Sequence, residues 1–200
     1  MRTIRLSLLG WACLLIAMAG AVAAAPAPST YDKLDRGPKV GQALPVALAA
    51  PDQTGESRDL ASLAGRRGLI LVFSRSLDWC VYCRGEAVAW NRRVGEARAL
   101  GYRLAIITYD PVATLKAFAE GRGIAYTLLS DEGSKIIRGF GLLNEGHPPG
   151  SFGHGIPHPV TFVVDPKGVI RHRFSEETYR RRPDIDTTLK VLRAAAGDGG

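Results

Sequence analysis

Leu69-Ile70-Leu71-Val72-Phe73 is an uninterrupted apolar run, and Cys80 follows it seven residues later in Trp79-Cys80-Val81-Tyr82-Cys83. A run of that length with no alternation is the mark of a strand buried on both faces. From about Val81 to Leu100 the spacing turns helical, through Ala87, Val88, Val94, Ala97 and Leu100, and stops before Gly101. The two cysteines therefore fall where a buried strand turns into a helix. Such a junction requires a layered α/β core.

The remaining pattern agrees. Leu104 to Tyr109 reads as a second buried strand, Pro111 opens a helix to about Glu120, Tyr126 to Leu129 is a short strand, and Gly133 to Phe140 a short helix. Asn144 to Pro157 is a loop rich in Gly, Pro and His. Val160 to Asp165 is a strand that turns through Asp165-Pro166-Lys167-Gly168 into Val169 to Phe174, and Asp184 to Ala196 closes the chain as a helix. Gly41 to Leu48 is expected as an edge strand because of Pro45, with a turn at Asp52-Gln53-Thr54-Gly55 and a short helix from Leu60 to Gly65. The order is β-α-β-α-β-α-β-β-α after an N-terminal extension, an α/β sheet with helices on both faces.

The N-terminus carries the marks of an export signal. Arg2 and Arg5 precede an apolar stretch from Leu6 to Ala19, and Ala21-Val22-Ala23 fits a small-x-small cleavage site. The alternative is an uncleaved anchor, although the run is short for a membrane span. Residues 1–23 are expected to be removed, Cys13 with them, and 24–37 to form an Ala/Pro/Ser-rich linker before a domain over 38–197. Removing Arg2 and Arg5 lowers the net charge from +7 to +5. The basic residues are scattered, apart from Arg171, Arg173 and Arg180-Arg181-Arg182, with no basic helical stripe interleaved with aromatics; nucleic acid is not expected as a partner. The expected location is the periplasm or another exported compartment, without stable membrane insertion.

Two cysteines three residues apart cannot build a structural disulfide framework. At a helix start, orphan N–H donors and partial positive charge favour a thiolate. Cys80 would then be the exposed, attacking thiol and Cys83, about one turn on, the more buried resolving thiol. Trp79 would shield one side. Two other readings of the pair are half a zinc site, completed by His147, His154, His158 or His172, and an inert disulfide. No bound cofactor or metal is expected, because the electrons reside in the cysteine pair.

With these residues in place the chain resembles the thioredoxin superfamily, specifically its redoxin or alkyl hydroperoxide reductase/thiol-specific antioxidant (AhpC/TSA) branch. The matching pieces are Leu71 to Ser74 leading to Trp79 to Cys83, Ile106 to Asp110, and Ile156 to Gly168. The resemblance covers roughly 38–195. It implies a thioredoxin-like fold with a central mixed sheet flanked by helices. It also implies that Pro159 is a cis-proline, preceded by His158, presenting backbone to an extended substrate; an ordinary trans turn proline is the alternative. His158 would tune the thiolate or relay protons, or sit solvated on the rim.

Peroxiredoxins share the resemblance but carry Pro-x-x-x-Thr/Ser-x-x-Cys. Counting back from Cys80, those positions hold Phe73 and Leu77; counting back from Cys83, they hold Ser76 and Cys80. The family's arginine position holds Pro159. Arg75 or Arg84 are candidate substitutes, and Cys83-Arg84-Gly85-Glu86 keeps a Cys-x-x-Glu spacing. The expectation is thus thiol–disulfide exchange with protein or small-molecule thiols. Peroxidase action on hydroperoxides is the second reading, and a copper-binding metallochaperone using His147 and His154 the third. Asp110 and Asp165 are expected to be turn residues.

Overall fold

In a computed structural model the protein is described over residues 31–197. The signal segment, its cleavage site, Cys13 and the linker up to residue 30 lie outside the described residues. A five-stranded mixed sheet runs in the order β5-β4-β3-β6-β7, built from β3 (Gly68–Phe73), β4 (Tyr102–Thr108), β5 (Thr127–Ser130), β6 (Val160–Val164) and β7 (Ile170–Ser175). β3 pairs parallel with β4 and antiparallel with β6, so the first apolar run of the sequence is the centre of the sheet. All six of its residues are buried.

Alternation along β3 divides two cores. Ile70 and Val72 face α2 (Val81–Ala99), α3 (Val112–Arg122) and α5 (Ile185–Gly197), where Trp90, Leu115, Phe118, Leu189 and Leu192 pack. Leu69, Leu71 and Phe73 face the other way, against Leu63 of α1 (Leu60–Leu63), Ile136 and Ile137 of α4 (Lys135–Gly139), and Phe140. The sheet is covered on both sides, as its continuous apolar strands require. Gly68 has φ +132°, and a Cβ there would lie 1.9 Å from the Val164 carbonyl oxygen, so only glycine lets β3 begin beside β6.

Two expectations change. The segment 41–48 does not form a strand. Ala43 makes a single bridge to Val169, flanked by bonds between Gly41 and Ile170 and between Leu44 and Gly168. Pro45 lacks an N–H and stops the ladder from extending. The strands that precede β3 are β1 (Ala49–Pro51) and β2 (Ser57–Asp59), an antiparallel pair around the expected turn at Asp52 to Gly55, with Asp52 bridged to Leu129 of β5. The end of the expected linker, residues 31–37, is docked. Asp32 accepts from the Arg173 guanidinium and from the Ser175 hydroxyl (2.6 Å), and Arg173 also donates to the carbonyls of Leu34 (2.8 Å) and Arg36. Arg173 is fully buried on β7, so the N-terminal segment satisfies a charge that the sheet alone leaves inside.

Candidate active site

The loop from β3 to α2 leaves the centre of the sheet and delivers both cysteines to one helix start. Asp110, just past β4, organises that loop. Its carboxylate accepts the Leu77 N–H (2.6 Å), the Ser76 hydroxyl (2.8 Å) and the Thr108 hydroxyl (2.9 Å). Burial raises its pKa, against the pull of these donors. Asp110 is thus a loop organiser, and Asp165 is a turn residue whose Oδ1 accepts from Lys167 and Val169 N–H.

Cys80 is the N-cap of α2, and its Sγ accepts the Cys83 N–H at 3.3 Å. Cys80 and Cys83 are joined as a disulfide. Cys80 is 3% exposed and Cys83 0%, so Cys80 is not the exposed thiol that was expected; both cysteines are buried, in the core that α2 covers. Trp79 forms a wall beside them. Its Nε1–H donates to the Tyr109 hydroxyl (3.1 Å), its ring packs on Phe152 with centroids 4.9 Å apart, and the Arg75 guanidinium lies 5.0 Å from its centroid. The Tyr179 ring also lies against the Arg75 guanidinium, at 4.1 Å. Burial lowers the Arg75 pKa, and its Nε has no hydrogen-bond partner among the described residues.

Behind the pair, Glu86 and Arg182 meet. Glu86 follows Cys83 by three residues, on the same face of α2. Its Oε2 accepts from Arg182 Nε (2.8 Å), and Arg182 Nη2 reaches Cys83 Sγ at 3.1 Å. Burial pushes Glu86 up to about 7, although Arg182 pulls it down. The sequence pointed to Glu86 only through its spacing from Cys83. Arg182 lay unremarked in a basic run, since nothing local signals that one of three consecutive arginines turns inward.

The expected cis bond at Pro159 is corrected. No peptide bond is cis among the described residues. The His158 N–H donates to the Leu142 carbonyl (2.7 Å), and Leu143 bridges Pro157. The backbone expected to present itself to substrate is occupied by the chain's own 142–143 segment, and trans is the cheaper isomer there. His158 makes no hydrogen bond to either sulfur. Burial, with Arg36 and Arg75 nearby, lowers its pKa.

The loop histidines point into their own loop. His147 Nδ1 meets the Phe152 carbonyl oxygen (3.0 Å) and His154 Nδ1 that of His147 (2.9 Å). Among the described residues no three His, Cys, Asp or Glu side chains converge as a metal site.

The AhpC/TSA family matches residues 40–173. Chloroplastic peroxiredoxin Q of Populus jackii is 30% identical over 154 residues, 77% of this chain and 68% of that protein. Peroxiredoxin Bcp of Escherichia coli (strain K12) is 30% identical over 147 residues, 74% of this chain and 92% of that one. Among solved structures, peroxidoxin BcpB of Mycobacterium tuberculosis superposes with a TM-score of 0.64 at 28% identity, over 80% of this chain and 96% of its own.

Proposed function

Because this chain belongs to the AhpC/TSA family and is a redox enzyme by its relatives, we propose that it is an exported thiol peroxidase in which Cys80 reduces small hydroperoxides and Cys83 resolves. One observation carries this reading: the sulfurs are almost closed to solvent, and Trp79, next to Cys80 in the chain, is packed against a buried guanidinium, Arg75, whose Nε has no hydrogen-bond partner among the described residues. A hydroperoxide is small enough to enter such a site, and a cation favours both the thiolate and the charge developing on the leaving oxygen. Arg75 would serve where the family's usual arginine position holds Pro159.

The Cys80 thiolate attacks the outer oxygen of ROOH. The O–O bond breaks, Cys80 becomes a sulfenic acid, and the alkoxide takes a proton and leaves as ROH. The Cys83 thiolate then attacks the Cys80 sulfur and expels hydroxide, which leaves as water, giving the disulfide. An external dithiol returns the pair to the reduced form and is itself oxidised to a disulfide.

A second reading, thiol–disulfide exchange with protein clients, rests on Val81 and Tyr82, which stand exposed beside the dithiol at 72% and 43%. It loses the open backbone edge that a cis-Pro159 would have supplied. Peroxide consumption measured against insulin reduction, in wild type, Cys80→Ser and Cys83→Ser, separates the two. Fast peroxide turnover lost in Cys80→Ser supports the peroxidase. Insulin reduction without peroxide turnover overturns it. Export through residues 1–23 is tested by the mass of the protein recovered outside the cytoplasm, and an intact N-terminus there overturns cleavage.

A further inference from the structure

We infer that Arg182 is a catalytic residue of the recycling step: it receives Cys83 as a thiolate when the Cys80–Cys83 bond is opened, and Glu86 holds it in place. The inference rests on the reading of Cys80 and Cys83 as the reacting couple.

The geometry distinguishes the two sulfurs. Cys80 Sγ sits at the start of α2, while Cys83 Sγ is wholly enclosed and faces the Arg182 Nη2 donor at 3.1 Å. An incoming thiolate therefore reaches Cys80. The new S–S bond forms between reductant and Cys80, the Cys80–Cys83 bond breaks, and its electron pair leaves on Cys83 against a guanidinium. The second thiolate of the reductant then displaces Cys80 and completes the reductant's own disulfide. Exchange runs faster the better the departing sulfur carries charge.

Arg182 is fixed for that task. Its Nε binds Glu86, and Nη1 donates to the carbonyls of Tyr179 and Arg181 (3.3 Å), leaving Nη2 aimed at the sulfur. Its side chain is largely buried, so the contact is weakly screened. An ion pair serving stability alone would need only the Glu86 contact. Arg182 also lies beyond the stretch 40–173 that matches the family, so this cation comes from the segment joining β7 to α5. Other charged or titratable groups near the Glu86–Arg182 pair are Arg75, from the β3–α2 loop, Tyr126, beside β5, whose hydroxyl donates to the Ala87 carbonyl, and Arg92, Arg93, Asp184 and Asp186, which line the same cavity as Glu86 and Arg182.

The test uses a Cys13→Ser/Cys80→Ser protein, in which Cys83 is the sole thiol, and the two-cysteine protein reduced by dithiothreitol. Arg182→Met should raise the Cys83 thiol pKa by about one unit and slow disulfide reduction about tenfold, the scale of one charge-assisted hydrogen bond. Arg182→Lys should recover part of both, and Glu86→Gln should shift both by less. An Arg182→Met protein with native circular dichroism but wild-type thiol titration and reduction rate overturns the proposal. Should Met prevent folding, Arg182→Gln, which also removes the charge, decides, and wild-type values there overturn it. Neither readout uses peroxide. A protein that shows these shifts yet consumes no hydroperoxide refutes the peroxidase reading and leaves Arg182 assigned.

Discussion

Asp110 accepts the backbone N–H of Leu77 at 2.6 Å and so ties the loop that carries the cysteines to the end of β4. The same carboxylate holds the hydroxyls of Ser76 and Thr108. Asp110→Ala leaves buried donors without an acceptor and should lower stability by about 2–3 kcal/mol. Asp110→Asn keeps one acceptor and should cost less. Urea unfolding checks both, and an Asp110→Ala protein as stable as wild type would remove the loop-organising role.

Glu86 makes stability depend on pH in an unusual direction. Its folded pKa, about 7, lies above the ordinary value of 4.5. The folded state therefore holds a proton that the unfolded state releases between these values, and stability falls as pH rises from about 4.5 to 7. The loss attributable to this group is at most about 3 kcal/mol. Glu86→Gln should flatten that slope in urea midpoints taken across the range. An unchanged slope would show that Arg182 keeps Glu86 ionised throughout.

Asp32 compensates a guanidinium that β7 buries completely. Removing one partner of a buried charge is costly even when carbonyls still accept from it, and Asp32→Ala should cost about 3 kcal/mol. Thermal or urea unfolding of a protein that retains residues 31–37 measures this. A loss below the noise would mean that the Leu34 and Arg36 carbonyls suffice.

Phe152 and Trp79 touch, but they differ in what else they hold. Phe152 is 73% exposed, and Phe152→Ala should cost no more than about 1 kcal/mol, the worth of one aromatic contact. Trp79 also stacks on Arg75 and donates to Tyr109, so Trp79→Ala should impair peroxide turnover more than Phe152→Ala does. Steady-state kinetics of both variants decide it; equal effects would place the wall's function in the exposed ring.

The fold was largely legible because it rests on local patterns. β3, β4, β6 and α2 lie within two residues of where apolar runs and helical spacing put them, since burial on two faces leaves little freedom in sequence. Segment 41–48 was misread for a local reason as well: a proline that marks an edge also limits how much of an edge forms. The cis bond expected at Pro159 was misread for a non-local one, the backbone partner of His158 at Leu142 being set by how the loop folds back.

The sequence alone determined the strand, the helix start and the pair Cys80 and Cys83, because seven residues of loop and one turn of helix fix them relative to one another. Only the tertiary structure decided which charges serve them. Arg182 is 99 residues from Cys83, and Arg173 is 141 from Asp32. A long side chain at a chain position carries no mark of facing inward. That choice is made when the sheet and helices close and a buried carboxylate or sulfur must be compensated.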